Sequence, residues 1–172
     1  MRFILTALAL ALISSPAAAA LPTGTKAPNF VTQGAIGGKP FTLALAEQLR
    51  HGPVVLYFYP KAFTKGCTLE ANAFSEAMPQ FKAAGARVIG MSADDLETLK
   101  KFSIEGCRSA FPVARADKEV IKAYDVALPA VGLSNRTSYV IARNGRIVMV
   151  HSELDWKDHV GKTLAAVKAL KR

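Results

Sequence analysis

A cysteine stands where a buried strand pattern passes into a helix pattern, and it is the residue best placed for chemistry. The stretch Val54–Phe74 reads VVLYFYPKAFTKGCTLEANAF, and Cys67 falls in the first turn of its helical part. A free thiol is only about 3% thiolate at neutral pH, and the thiolate is the nucleophile. Unpaired N–H groups at a helix N-terminus stabilise a sulfur anion, and Thr64 can present a hydroxyl to the same place. The spacing therefore predicts a nucleophilic Cys67.

Two charged residues can extend a reactive thiol into a site for an O–O bond. Breaking such a bond needs fixed donors that stabilise the charge growing on the departing oxygen. Arg136 is the best candidate because it lies in a polar loop just before a strand pattern, whereas most other arginines fall on helix surfaces or in hairpins. Glu70, one turn along the helix from Cys67, can orient this guanidinium through a bidentate pair. Together they predict a peroxide-binding site.

Strand and helix patterns alternate around this segment. Val54–Tyr59 is a continuous apolar run of the kind found in a central strand buried on both faces. The helix Cys67–Ala84 follows it, and Pro79 is expected to bend or interrupt that helix. The remaining predicted elements are a hairpin within Phe30–Leu43, a strand at Arg87–Ser92, helices at Asp94–Glu105 and Lys118–Tyr124, a hairpin within Thr137–His151 and a helix at Trp156–Leu170. This order predicts an α/β domain with a thioredoxin-like three-layer fold, in which helices flank a central mixed sheet.

The N-terminus has the three parts of a secretory signal peptide. A basic start is followed by an apolar run of about 11 residues, which is shorter than the roughly 20 that a spanning helix needs. Small residues then lead to Ala20, where we expect cleavage. We therefore predict a signal peptide at residues 1–20, a peroxide-handling domain at residues 21–172, a periplasmic location and no stable membrane insertion. The alternative is an N-terminal anchor that stays on the mature protein.

Charge and composition limit the classes of partner. The chain has 22 Lys and Arg and 13 Asp and Glu, a formal net charge of +9, and loss of Arg2 with the leader leaves +8. The basic residues are spread along the chain, which favours a solvated surface over a dedicated polyanion site. We expect no nucleic-acid partner, and the glycines lack a phosphate-loop pattern.

Cysteines and histidines decide between redox and metal chemistry. The chain has two cysteines, Cys67 and Cys107. Export would permit a disulfide, but a domain of this size folds without one, so the pair favours chemistry over a structural bridge. His51, His151 and His159 lack metal-ligand spacing, so we expect no metal site.

Four of these residues carry a family resemblance. Pro60, Thr64 and Cys67 have the Pro-x-x-x-Thr-x-x-Cys spacing of peroxiredoxins, and YFYPKAFTKGCTLEANAF closely resembles the bacterioferritin-comigratory, or Q-type, branch. The likeness covers nearly all of the chain after the leader, and Arg136 falls where the family carries its active-site arginine. The resemblance implies reduction of hydrogen peroxide and organic hydroperoxides through a sulfenic acid on Cys67, without a metal or organic cofactor. It also implies a thioredoxin-like or other thiol reductant and a monomer or weak homodimer.

One position departs from the Q-type pattern. Many members carry a second cysteine five residues after the first, where this chain has Asn72. The sulfenic acid must then be resolved by Cys107, by an external thiol, or not at all. Our hypothesis is a Cys67–Cys107 disulfide that needs local unwinding of a helix end. The alternative is that Cys107 is a small half-buried residue without a redox role.

Two rival classes share the predicted fold. An exported thiol–disulfide oxidoreductase uses Cys-x-x-Cys at the helix start, and the positions three before and after Cys67 are Thr64 and Glu70, so this chemistry lacks its second sulfur. A non-enzymatic binding module would be expected to lose the threonine, cysteine or arginine, and all three are present.

Overall fold

The computed structural model describes residues 20–171, which form a seven-stranded sheet with five helices. The strands are β1 Val31–Ile36, β2 Lys39–Ala44, β3 Val54–Phe58, β4 Arg87–Ser92, β5 Val113–Arg115, β6 Thr137–Ile141 and β7 Ile147–Ser152. The helices are α1 Leu45–Arg50, α2 Lys65–Ala83, α3 Leu96–Glu105, α4 Lys118–Ala123 and α5 Lys157–Ala169. The predicted α/β architecture is confirmed.

The sheet is mixed, with strand order β2-β1-β5-β4-β3-β6-β7. Strands β3, β4 and β5 run parallel. On one side β6 pairs antiparallel with β3 and β7 with β6, and on the other side β1 pairs antiparallel with β5 and β2 with β1. Strand β3 therefore lies near the middle, and α2 starts at its carboxyl end. In open α/β sheets this end of the strands carries the ligand site.

Two apolar layers cover the faces of the sheet. Alternation along β3 sends Val55 and Tyr57 to the layer under α2, α3 and α5, and Leu56 and Phe58 to the layer under α1 and α4. All five residues of β3 are fully buried. Because strand side chains alternate between faces, one central strand anchors both cores and holds the start of α2 between them.

Three local features differ from the predictions. Helix α1 and strand β5 are additions to the predicted elements: α1 directly continues the second strand of the hairpin, and three residues of β5 are too few to show a period. Helix α2 runs unbroken through Pro79. That proline lies on the exposed face, where water can reach the Ser75 carbonyl that its missing N–H leaves without a helix donor.

The predicted signal peptide and its alternative, the retained anchor, fall on residues outside the described part except for Ala20. Ala20 and Leu21 pack against the layer under α1 and α4, and the Leu21 amide donates to the Tyr139 hydroxyl at 3.1 Å. Among the helices of residues 20–171, none is long and apolar enough to cross a bilayer.

Candidate active site

The loop that precedes Cys67 is fixed by the neighbouring strand. The Ala62 amide donates to Asp94 Oδ2 at 2.8 Å, and the Ser92 hydroxyl donates to the same oxygen at 2.8 Å. Phe63 then adopts a left-handed conformation, φ 64°, and its ring meets Phe102 of α3 edge-on at 5.1 Å. A non-glycine residue holds this conformation only when its surroundings require it. Asp94 and Phe102 therefore position the entrance to α2, a role that their positions in the sequence do not indicate.

Cys67 lies in the first turn of α2 with only 2% of its surface exposed. Thr64 is the N-cap residue of the helix, and Pro60 directly follows the last residues of the strand pattern, as the sequence predicted. The first-turn N–H groups of α2 therefore surround the sulfur with partial positive charge. Within residues 20–171 the Thr64 hydroxyl donates to the Lys61 carbonyl at 3.0 Å rather than to Cys67. Its oxygen can still accept a hydrogen bond from a bound ligand.

Arg136 joins the three parts of the site. Its Nη2 donates to Cys67 Sγ at 3.4 Å, its Nη1 donates to Glu70 Oε2, and its Nε donates to the Leu154 carbonyl at 2.9 Å. The residue lies directly before β6 and is only 6% exposed. All three guanidinium nitrogens are thereby held, and Nη2 is directed at the sulfur. The predicted neighbourhood of Cys67, Glu70 and Arg136 is present.

Glu70 is fully buried, which shapes its charge. Burial raises its pKa to about 8, and the nearby Arg136 cation opposes this shift. The predicted bidentate pair with Arg136 is wrong in one respect, because only Oε2 receives a guanidinium hydrogen bond. Oε1 has no hydrogen-bond partner among residues 20–171. The free oxygen instead faces His159 Nδ1 at 3.7 Å.

His159 is part of the site's second layer, although its spacing in the sequence gave no reason to place it there. It is fully buried, its Nδ1 contacts the Ser138 hydroxyl at 2.8 Å, and its Nε2 contacts the Glu153 carbonyl at 2.9 Å. Burial lowers its pKa to about 4. The helical period could have placed His159 on the buried face of α5 with Thr163, Leu164 and Val167, but not beside Glu70.

Cys107 lies apart from the first cysteine. It belongs to the turn after α3 and is fully buried, not half-buried, and burial raises the pKa of its thiol. Its carbonyl accepts from the Ser75 hydroxyl at 2.8 Å. Ser75 is eight residues along α2 from Cys67, about 12 Å along the helix axis. Both thiols are free in this structure.

Within residues 20–171, no group of three or more His, Cys, Asp or Glu side chains is arranged to hold a metal ion. The arrangement is instead that of a buried thiol with a fixed cation, a helix N-terminus and a buried acid behind the cation. Such a site can stabilise a thiolate and the negative charge that its attack produces on a leaving oxygen.

Comparison with known proteins gives a consistent result. Residues 23–150 match the AhpC/TSA family. The chain is 32% identical over 172 residues to peroxiredoxin Q, chloroplastic, of Oryza sativa subsp. japonica, covering 91% of this chain and 77% of that protein. It is 32% identical over 124 residues to peroxiredoxin Bcp of Xanthomonas campestris pv. campestris, covering 67% of this chain and 76% of the relative.

The fold has the same relatives. The crystal structure of peroxidoxin BcpB from Mycobacterium tuberculosis superposes with a TM-score of 0.76 at 32% identity. The match covers 87% of this chain and 98% of that one. The predicted thioredoxin-like fold is therefore confirmed.

Proposed function

The chain belongs to the AhpC/TSA family and is a peroxiredoxin, a thiol peroxidase, and we propose that Cys67 is the sulfur that attacks the peroxide. One observation carries this assignment. Arg136 Nη2 lies 3.4 Å from Cys67 Sγ while the same guanidinium is fixed by Glu70 and the Leu154 carbonyl. A cation held in this way costs no reorganisation when charge develops beside it.

The proposed first step forms one bond and breaks one. The Cys67 thiolate attacks the terminal oxygen of ROOH, so the S–O bond forms as the O–O bond breaks. The sulfur is oxidised to a sulfenic acid, and the departing RO⁻ takes a proton to leave as ROH, or as water when R is hydrogen. Arg136 and the α2 N-terminus stabilise the negative charge on RO⁻. Thr64 accepts a hydrogen bond from the peroxide, and Pro60 ends the strand so that the loop can enclose it.

For the second step we propose resolution by Cys107. Its thiol attacks the Cys67 sulfenic acid, the S–S bond forms and water leaves. Because Ser75 holds the Cys107 turn about two helical turns from Cys67, this step requires the start of α2 or the end of α3 to unwind. Arg108 and Ser109 support the idea, since both adopt left-handed conformations, φ 50° and 57°. Strain of this kind favours a turn that can change its conformation.

An apolar rim supports organic hydroperoxides as substrates beside hydrogen peroxide. Leu154 exposes 67% of its surface directly beside the carbonyl that holds Arg136, and Phe63 exposes 45% next to Thr64. Exposed apolar side chains at a polar site favour substrates that carry an alkyl group.

We further propose that the protein acts in the periplasm after cleavage near Ala20. The packing of Leu21, whose amide donates to the Tyr139 hydroxyl, supports a mature domain that begins at this residue. A thioredoxin-like or other thiol reductant of that compartment would then reduce the disulfide by thiol exchange. A monomer or weak homodimer is the proposed assembly. The mass of the mature protein isolated from the cell envelope tests the cleavage site. Its sedimentation tests the assembly.

Single-turnover peroxide consumption by the reduced protein tests the function. The wild type should consume one equivalent orders of magnitude faster than a free thiol, and Cys67→Ser should abolish this reaction. The matched control is Cys107→Ser, which should keep the fast first turnover and accumulate a sulfenic acid that dimedone traps. Intact mass of the wild type should show the loss of two hydrogens. A wild-type rate equal to that of a free thiol would contradict the proposal, and a trapped sulfenic acid with Cys107 still alkylatable would contradict its second step.

A further inference from the structure

The buried acid and imidazole behind Arg136 form a cluster that the proposed steps leave unused. Glu70 and His159 are both fully buried, and Glu70 Oε1 and His159 Nδ1 are 3.7 Å apart. Three elements supply the cluster: Glu70 comes from α2, Ser138 from β6 and His159 from α5. A fold rarely encloses two titratable groups face to face unless a proton or a charge satisfies them.

The hydrogen bonds of His159 fix where its protons can be. A carbonyl oxygen only accepts, so Nε2 carries a proton and donates a hydrogen bond to the backbone carbonyl of Glu153 at 2.9 Å. In a neutral imidazole Nδ1 is then an acceptor, and it receives the Ser138 hydroxyl proton at 2.8 Å. Nδ1 therefore carries no proton for the unpartnered Glu70 Oε1, which lies 3.7 Å away. An ionised carboxylate would face this partially negative nitrogen inside the protein, so a proton on either group stabilises the pair.

We propose that His159 is a positioning residue of the peroxidase, which shares one buried proton with Glu70 and so keeps Arg136 directed at Cys67. This inference rests on the function proposed above. The two atoms are too far apart for a hydrogen bond, at 3.7 Å. A proton on Oε1 makes the carboxyl neutral, and a proton on Nδ1 places an imidazolium beside the carboxylate, so either placement removes the repulsion. Ser138 can serve either form because its hydroxyl both donates and accepts.

The charge balance explains why such a proton would matter to the sulfur. With the proton present, a Cys67 thiolate and the Arg136 cation cancel, and the Glu70–His159 pair is neutral. Without it, the enclosed site carries a net negative charge, which is costly in a buried place. Glu70 would then attract Arg136 more strongly, at the expense of its bond to the sulfur. The pair titrates as a unit, and its proton is lost on the alkaline side, in accord with the raised pKa of Glu70, about 8.

Other groups around His159 must be considered in any pH experiment. Burial is the main reason for the lowered pKa of the imidazole, and the charges of Arg136, His151 and Lys162 lower it further. The His151 ring lies 4.5 Å from it between centroids and is tilted by 57°, and it makes no hydrogen bond to Glu70. His151 is therefore the matched control, a histidine of the same patch outside the proposed proton pair.

The experiment is a double-mutant cycle on single-turnover peroxide consumption. His159→Gln keeps an amide donor for the Glu153 carbonyl and removes Nδ1, so the rate at pH 7 should fall about tenfold. The alkaline decline of the rate should also move to lower pH. In a Glu70→Gln background, where the neighbouring group cannot titrate, His159→Gln should change the rate less than about twofold, and the alkaline decline should be absent. His151→Gln should change the rate less than about twofold in either background.

Each outcome has one meaning. Equal losses from His159→Gln in both backgrounds would contradict the inference, because His159 would then act without Glu70. A wild-type rate no faster than that of a free thiol would contradict the proposed function itself, which is a different result. Should His159→Gln not fold, His159→Asn, whose amide reaches the place of Nδ1, replaces it and should retain more of the rate than a change to Ala.

Discussion

The Arg136 guanidinium makes three hydrogen bonds from three separate nitrogens, whereas a lysine at this position would offer a single ammonium nitrogen. Arg136→Lys keeps the charge, but its single nitrogen cannot span Cys67, Glu70 and the Leu154 carbonyl, which three different guanidinium nitrogens contact. We expect the single-turnover rate with peroxide to fall about 100-fold, which is typical for loss of one fixed donor to a developing oxyanion. Arg143→Lys is the control, since that side chain bonds to the Arg50 carbonyl on an exposed surface. Equal rates in wild type and Arg136→Lys would mean that charge alone suffices.

Glu70 should also mark the pH dependence of stability. Its pKa is raised from its ordinary value to about 8 in the folded protein. The folded state therefore binds more protons than the unfolded state between pH 4.5 and 8, so this group's contribution to stability is complete at low pH and is lost as the pH rises through about 8. Glu70→Gln should remove this loss.

Urea denaturation at pH 5 and pH 8 measures the effect. The difference in unfolding free energy between wild type and Glu70→Gln should shift by up to a few kcal/mol in favour of the variant at pH 8. Glu76→Gln, an exposed residue of the same helix, should show no such shift. A difference that is the same at both pH values would show that Glu70 is ionised throughout.

Most reactive residues could be found from the sequence, but their second layer could not. Cys67, Thr64, Glu70 and Arg136 follow from helix-terminal chemistry and from their positions next to strands. His159 and Ser138 escape because nothing local links residues on two different elements. Only the packing of α5 against β6 brings them together, and that contact is not encoded in any short spacing.

At the scale of single elements, the turn after α3 is the place where strain should affect the reaction. Ser109 has φ 57°, which glycine adopts without steric cost. Ser109→Gly should stabilise the reduced protein by about 1 kcal/mol. It should also slow disulfide formation after peroxide addition, because release of the backbone strain stabilises the turn in its contact with α2 relative to the unwound turn.

Two measurements check this. Urea denaturation of the reduced protein gives the stability, and the time course of the loss of two hydrogens by intact mass gives the disulfide rate. Ser109→Ala is the control because it removes the hydroxyl and keeps the strained backbone. A Ser109→Gly variant that forms the disulfide faster would show that flexibility, not strain, limits the step.

Most elements could be predicted from the sequence, including the six-residue helix α4, but helix α1 and strand β5 could not. Strands β3 and β4 and helices α2 and α3 are long enough to display their period, and their positions agree with the structure. Strand β5 has three residues, which exist as a strand only because β1 and β4 pair with it from both sides. Gly34 permits this approach, since a Cβ there would lie 2.8 Å from the Val113 carbonyl.

For the whole molecule, two glycines predict opposite effects on stability. A Cβ on Gly90 would lie 2.9 Å from the buried Tyr57 ring, which stacks on Phe74 at 4.3 Å and has no room to move. Gly90→Ala should therefore destabilise the protein by about 1–3 kcal/mol. Gly161 lies exposed on α5 with nothing within 4 Å, so Gly161→Ala should stabilise it by about 0.5–1 kcal/mol.

Thermal and urea unfolding of both variants beside the wild type measure these changes. Single-turnover rates of Gly161→Ala should equal those of the wild type, because the residue does not touch the site. A neutral Gly90→Ala would mean that β4 can shift away from β3 more easily than its position in the middle of the sheet implies.

The indole of Trp156 gives the site an optical signal. Trp156 is the single tryptophan of the chain, and a Cβ on Gly66 would lie 3.9 Å from its Cδ1, so the ring borders the first turn of α2. Emission from this ring should change when peroxide oxidises Cys67, and again when the turn unwinds for the disulfide. Stopped-flow fluorescence should therefore show two phases in the wild type and one in Cys107→Ser. The rates of both proposed steps could then be measured from the intrinsic fluorescence of the protein, without an added dye.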